Sequence, residues 1–265
     1  MFSFDAIIQK IKECEVQYDP WPHICIERLF SEEESRKIHE IIKENANWEK
    51  DQTASRLKQG SPNVYLSNRN QPGKEIDKIF AGFKTPMFLK EVLKKFNLVL
   101  SKDYMTAWGC SWHKKGAKQI PHTDMHVLKH TVKDQDLEFD SMLTQQIYFP
   151  NKSYGVKHVE DSGIWLGHEK DFRSNDIYGR FQRVKQIKCN PGTYMCYPDS
   201  DLTYHEVPEQ LEEFDRISGL SRTLWNSKGS PWTPPYTSAS LIEIAKKSKQ
   251  WYRDQTKLAK KSDLK

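Results

Sequence analysis

The sequence predicts an α+β fold in which helices precede an antiparallel jelly-roll or barrel, and one more helix closes the chain. Apolar residues recur at helical spacing before residue 100. From about residue 104, short segments alternate with period two, separated by turn residues and with no helices between them. A last capping box opens at Ser240. No internal repeat or low-complexity linker divides the 265 residues, so one domain over 1–265 is expected. Its parts are helical support over about 1–100, the β-core over about 104–226 and a basic helix over about 240–262.

The first helix is predicted by Phe4, Ile7, Ile8 and Ile11. Ser31-Glu-Glu-Glu34 starts the second: the serine hydroxyl caps a backbone N–H, and Glu34 reaches back to the cap's own N–H. Ile38, Ile41 and Ile42 line one face of that helix. Pro86, tolerated at a first helical position, starts the third, with Leu89, Val92, Leu93 and Phe96 on one side. Strands are predicted at 104–112, 143–149, 163–166, 183–187, 193–197 and 216–225. Pro150-Asn, Asp161-Ser-Gly, Asn190-Pro-Gly and Pro198-Asp-Ser-Asp supply turns between them. Ser240-x-x-Glu243 caps the last helix.

Hydrophobic residues are only 37% of the chain, but aromatics reach 12%, enough bulky area to build a core. No apolar run approaches the roughly 20 residues that span a bilayer, and the N-terminus has neither a basic region nor a long apolar stretch of the secretory kind. Membrane-embedded and disordered classes are therefore excluded as expectations. Five cysteines without a Cys-x-x-Cys pair fit reduced thiols, and hence a cytoplasmic location, better than a disulfide framework or zinc–thiolate site. The net charge of +5 resides in residues 241–265, which hold eight basic and three acidic side chains; the preceding residues balance at 33 of each sign. Acidic residues dilute the basic helix and no series of stacking aromatics accompanies it, so it reads as a solvated face rather than a nucleic-acid site.

Gly116-Ala-Lys-Gln-Ile-Pro-His122-Thr-Asp124 is the most informative segment. On an extended backbone residues i and i+2 face the same way, so His122 and Asp124 can present an imidazole and a carboxylate to one point. Tyr204-His205-Glu-Val207 follows a strand and a turn 83 positions after His122 and can add a second imidazole. Two imidazoles and one carboxylate with the remaining positions open form the facial triad of non-haem Fe(II) oxygenases. Eleven positions past His205, Arg216 and Ser218 share a face and can bind one carboxylate together.

In this order and at these separations the residues resemble the Fe(II)/2-oxoglutarate-dependent dioxygenase superfamily, most nearly its prolyl-4-hydroxylase-like branch. The resemblance runs from about Pro22 to Trp225. Pro22-His-Ile-Cys-Ile-Glu-Arg-Leu-Phe-Ser-Glu-Glu-Glu looks like the family's first strand and capped helix, and Gly116 and Pro121 match residues that often precede its His-x-Asp. Ile147-Tyr-Phe-Pro, Asp161-Ser-Gly-Ile-Trp-Leu and Pro191-Gly-Thr-Tyr-Met-Cys-Tyr-Pro resemble later strands. The resemblance implies a double-stranded β-helix, a jelly-roll of cupin-like form. It also implies that His122, Asp124 and His205 hold Fe(II) as metal ligands and catalytic residues. Arg216 with Ser218 would bind the distal carboxylate of 2-oxoglutarate, and O2 would be the oxidant, with ascorbate as an aid. Many relatives have a cosubstrate-binding tyrosine near the place of Trp112 or His113, a contact that Tyr148 could supply here. Arg222 is a second basic candidate, but Arg216 pairs with Ser218 and has the usual offset. Because a carboxylate, Asp124, stands where related halogenases have a small residue, hydroxylation of a C–H bond is favoured, with release of succinate and CO2; desaturation and cyclisation, which some family members catalyse, stay open as alternatives.

The expected substrate is a small molecule such as an amino acid or natural-product intermediate, since no peptide-binding or nucleic-acid-reading module is appended. A peptidyl proline and an envelope sugar are alternatives; a non-catalytic jelly-roll binding protein is the rival from another class. His122, His126 and His130 would line one side of a helix, but a metalloprotease pattern needs Glu after the first His, where Thr123 stands. His126 and His130 are read as loop residues, and His23, His39, His158 and His168 as structural or surface residues. The segments Asn151–Arg183 and Met125–Asp140 are expected to cover the pocket.

Overall fold

The structure, a computed structural model, describes residues 3–50, 63–67, 73–124, 139–169, 181–200 and 202–226. The predicted C-terminal helix, His126 and His130, and most of the segment 125–140 lie outside them.

Helix α1 (Phe4–Glu13) turns Ile7, Ile8 and Ile11 inward, and the Ser3 hydroxyl accepts from the Ala6 amide. Strand β1 (Ile24–Ile26) leads to α2 (Glu32–Asn45), whose capping box forms as predicted. The Ser31 amide donates to Glu34 at 2.8 Å and the Glu34 amide to the Ser31 hydroxyl at 3.2 Å. The N-terminal hundred residues are not all helical: β2 (Trp48–Lys50) and β3 (Val64–Ser67) pair with each other, and β3 extends the main sheet. Helix α3 (Lys74–Phe80) was not evident in the sequence; α4 (Pro86–Lys95) has Pro86 in its first turn and Thr85 as its cap.

The core strands are β4 (Tyr104–His113), β5 (Gln119–His122), β6 (Ser141–Pro150), β7 (Ile164–Glu169), β8 (Phe181–Ile187), β9 (Tyr194–Pro198), β10 (His205–Val207) and β11 (Arg216–Trp225). A short helix, α5 (Lys157–Asp161), and β7 occupy much of the segment read as a covering loop, and its residues 170–180 lie outside the described ones.

All described pairings are antiparallel, in two sheets rather than a closed barrel: seven strands in the order β1-β9-β6-β11-β4-β3-β2 and four in the order β5-β10-β7-β8. This is the jelly-roll alternative of the predicted architecture. The larger sheet packs its outer face on the N-terminal helices through Leu143, Ile147, Phe149, Trp108, Ile217 and Trp225. Phe80 of α3 stacks on Trp108 with centroids 4.4 Å apart and planes 6° apart. Gly219 makes that approach possible: a Cβ there would lie 2.4 Å from Phe80 Cζ. A second apolar cluster, with Tyr148, Leu166, Met195, Tyr197 and Val207, fills part of the space between the sheets.

All five cysteines are free thiols, three of them buried. His23 and His39 are buried structural histidines, each with Nδ1 against a backbone carbonyl, Trp21 at 2.8 Å and Phe149 at 2.6 Å. No described helix is long and apolar enough to cross a membrane.

Candidate metal centre

The four-stranded sheet brings the predicted triad together from two places in the chain. His122 ends β5 and His205 begins β10, and the antiparallel register sets them directly opposite each other. Their ring centroids are 4.4 Å apart. Asp124 follows in the turn after β5, with its carboxylate 3.7 Å from His122 Nε2. One ligand atom from each of the three lies within 4.8 Å of the others, with Asp124 and His205 buried and His122 half-buried.

The donor set suits a divalent transition metal. His122 Nδ1 lies 2.6 Å from the Ile120 carbonyl and His205 Nδ1 3.0 Å from that of Thr203. A carbonyl accepts only, so Nδ1 carries the proton in both rings and Nε2 carries the ligating lone pair. Burial, with His122 adding to it, pulls the His205 imidazole down to about 4, so it is neutral at pH 7. Burial alone would push the Asp124 carboxyl up; Arg222, His205 and His122 outweigh it and hold the group well below the usual carboxylate range.

Arg222, the basic candidate set aside in favour of Arg216, donates to Asp124 Oδ2 at 2.8 Å. This leaves Oδ1 as the carboxylate atom nearer His122. Burial works against the Arg222 guanidinium, and Asp124 and Asp199 more than offset it. Strand parity could have found this residue, because Arg216, Ser218 and Arg222 all occupy the inner side of β11.

Arg216 begins β11, six residues or roughly 20 Å of strand from Arg222. It is 2% exposed, and its guanidinium reaches across to the Ser162 carbonyl just before β7. No carboxylate among the described residues pairs with it, and burial pulls it down to about 9, still charged at neutral pH. Ser218 lies next along the same face, 2.7 Å from the Ser111 hydroxyl and accepting from the Gln146 amide at 3.0 Å. Tyr148 stands opposite Ser218 on β6, fully buried, with its hydroxyl donating to Gln146 Oε1 at 3.4 Å. His113 is the cross-strand neighbour of Arg216, and neither of its buried ring nitrogens has a partner among the described residues. All six predicted site residues therefore face the space between the sheets.

No protein-family model and no curated protein matches the chain. Solved structures do. The non-haem alpha-ketoglutarate-dependent epimerase SnoN from nogalamycin biosynthesis superposes with a TM-score of 0.51 at 9% identity, over 84% of this chain and 83% of its own. HygX from Streptomyces hygroscopicus, solved with nickel and 2-oxoglutarate and also with hygromycin B, gives 0.50 at 10% identity over 77% and 82%. A prolyl-4-hydroxylase from Pseudomonas putida gives 0.48 at 10% identity over 84% and 99%. The first two show that the chain has the double-stranded β-helix fold of 2-oxoglutarate-using, non-haem enzymes.

Proposed function

We propose that the chain is a non-haem Fe(II)/2-oxoglutarate-dependent dioxygenase that hydroxylates a C–H bond of a small molecule and releases succinate and CO2. The observation that carries this reading is that the His122–Asp124–His205 triad and a buried guanidinium, Arg216, which has no carboxylate partner among the described residues, both face the space between the sheets. A buried cation without a carboxylate partner among the described residues is costly, and the carboxylate of an anionic cosubstrate at Arg216 would offset the cost. HygX, whose structure holds nickel and 2-oxoglutarate, supports the choice of cosubstrate.

In this reading His122, Asp124 and His205 hold Fe(II), which supplies the oxygen-activating chemistry when bound. His122 and His205 are held as Nε2 donors by the Ile120 and Thr203 carbonyls, so neither must lose a proton to ligate. Arg222 fixes the Asp124 carboxylate through one oxygen and leaves the other for the metal. Arg216 and Ser218 receive the distal carboxylate of 2-oxoglutarate, and Tyr148 closes the wall beside Ser218. An amino acid or natural-product intermediate is the favoured substrate.

Anaerobic addition of Fe(II) and 2-oxoglutarate is expected to give a metal-to-ligand charge-transfer band in the visible region. Air is then expected to release succinate, which candidate substrates accelerate. Neither band nor succinate would overturn the oxygenase reading; a band without turnover of any substrate would favour a binding protein. His122→Ala or His205→Ala is expected to remove iron binding, read by metal content after gel filtration.

A further inference from the structure

One charged group near the triad has no task in this reading. On β9, Met195 and Tyr197 face the space between the sheets, and strand parity carries the same direction to Asp199. The Asp199 amide continues the ladder, donating to the Met142 carbonyl at 2.8 Å. This end of β9 abuts the metal centre: the Tyr197 ring lies 5.7 Å from that of His205. Asp199 is 7% exposed, and neither of its carboxylate oxygens has a hydrogen-bond partner among the described residues. The Thr144 hydroxyl and backbone amide stand beside it as weak donors and offset part of the cost of its burial. Among the described residues the cation that acts on it, Arg222, gives its hydrogen bond to Asp124 instead.

A carboxylate kept out of water with no close, well-aligned donor among the described residues is disfavoured. Burial and the Asp124 charge both push its proton affinity well above the ordinary value, and Arg222 offsets this only in part. Among the described residues the inner face therefore has two buried ionisable groups without an ion-pair partner at hydrogen-bond distance: Arg216, which calls for an anion, and Asp199, which a cation that also donates N–H bonds would hold in its ionised form. An ammonium meets both requirements of Asp199, since it neutralises the charge and supplies up to three donors.

We propose that Asp199 is a substrate-anchoring residue whose carboxylate receives a protonated amine of the substrate beside the metal centre. The proposal rests on the oxygenase reading and narrows its substrate class to amines, free amino acids and amino sugars included. Asp199 positions the amine, and with it the C–H bonds of the substrate, relative to the triad.

The test uses the full chain loaded with Fe(II) and 2-oxoglutarate. Succinate release is measured with L-lysine, L-alanine, glucosamine and spermidine, each beside its fully N-acetylated counterpart. At least one free amine is expected to accelerate release while its acetylated form does not. Asp199→Asn is expected to raise KM for that amine at least tenfold and to leave the iron–oxoglutarate band unchanged, and Asp199→Glu to recover part of the loss. A thermal melt of Asp199→Asn no lower than wild type separates lost anchoring from misfolding. The proposal is overturned if no free amine accelerates release, if the acetylated forms serve equally, or if KM for the accelerating amine stays within twofold in Asp199→Asn. In each of those cases a normal band keeps the oxygenase reading intact; absence of the band in wild type removes both.

Discussion

The two faces of the seven-stranded sheet are buried to the same degree and built in opposite ways. Strand β11 contributes to both. Ile217, Gly219 and Trp225 face the helices, where Phe80, Trp108, Ile147 and Phe149 form a dry core. Arg216 and Ser218 alternate with them and are as inaccessible, and Arg222 is half-buried, yet they face a set of polar groups in which several atoms have no partner among the described residues. Both ring nitrogens of His113, both oxygens of Asp199 and Nε of Arg222 belong to that set. Exclusion of water therefore does not distinguish a core from a site here. The outer face also leaves buried donors without a partner among the described residues, the Trp108 and Trp225 indole N–H groups among them, but these are neutral, and apolar burial and dispersion carry that face. On the inner face the buried groups without close partners are ionisable ones, Arg216 and Asp199 above all, and it is these that the proposed cosubstrate and amine would engage.

Substitutions that take a residue from each face test this contrast. The largest effect is expected on the outer face: Trp108→Ala removes the ring on which Phe80 stacks and is expected to cost about 3–5 kcal/mol of stability. Its measure is the urea midpoint, and a loss below about 1 kcal/mol would mean that the helices do not depend on this contact. On the inner face the sign is expected to reverse. Arg216→Met keeps much of the side-chain volume and removes an unpaired buried charge, so stability is expected to hold or to rise by about 1–3 kcal/mol. The same variant is expected to keep iron binding while the 2-oxoglutarate requirement rises at least tenfold. A destabilised Arg216→Met with unchanged 2-oxoglutarate dependence would make Arg216 a structural tie to Ser162 and erase the contrast. Gly219→Ala, back on the outer face, places a Cβ against Phe80 and is expected to cost about 1–3 kcal/mol, again by urea midpoint.

The sequence revealed what is written locally. The capping box at Ser31, the Ile7–Ile8–Ile11 face and the long strand β11 each carry their signal within about ten residues, and each forms as read. The triad was legible for a related reason: His-x-Asp, a distal His and Arg-x-Ser are types whose chemistry narrows their use. Strands β2 and β3 were missed because each is only three or four residues long, and β3 owes its place to pairing with β4. The role of Arg222 was missed although its face was readable. Parity places Arg216 and Arg222 on one side of β11, but which of them meets Asp124 depends on how β5 in the other sheet lies across it. Asp199 was hidden inside Pro198-Asp-Ser-Asp, where turn composition masks a carboxylate that continues the β9 ladder.

The outer side also carries charge, and there it is paired, which gives the smallest test of the contrast. Lys43 of α2 meets Asp215, the residue before β11, at 2.7 Å, and the Trp112 indole donates to the other carboxylate oxygen at 2.9 Å. Burial pushes the Asp215 carboxyl up, but these two bonds and the Lys43 charge outweigh it, so the group is held below its ordinary value. A depressed carboxyl contributes stability that is present above its unfolded value of about 3.9 and lost as pH falls through the folded value. Because Lys43 is 38% exposed, water and salt screen the pair, and Asp215→Asn is expected to cost no more than about 1 kcal/mol at pH 7. The amide oxygen still accepts from Trp112, so the variant isolates the charge. Its difference from wild type is expected to shrink towards zero below pH 4 and to fall in 1 M salt. A difference that stayed constant from pH 7 to pH 2 would show that the tie is packing rather than charge. The paired charge outside and the unpaired charge inside would then no longer be opposite cases of one rule.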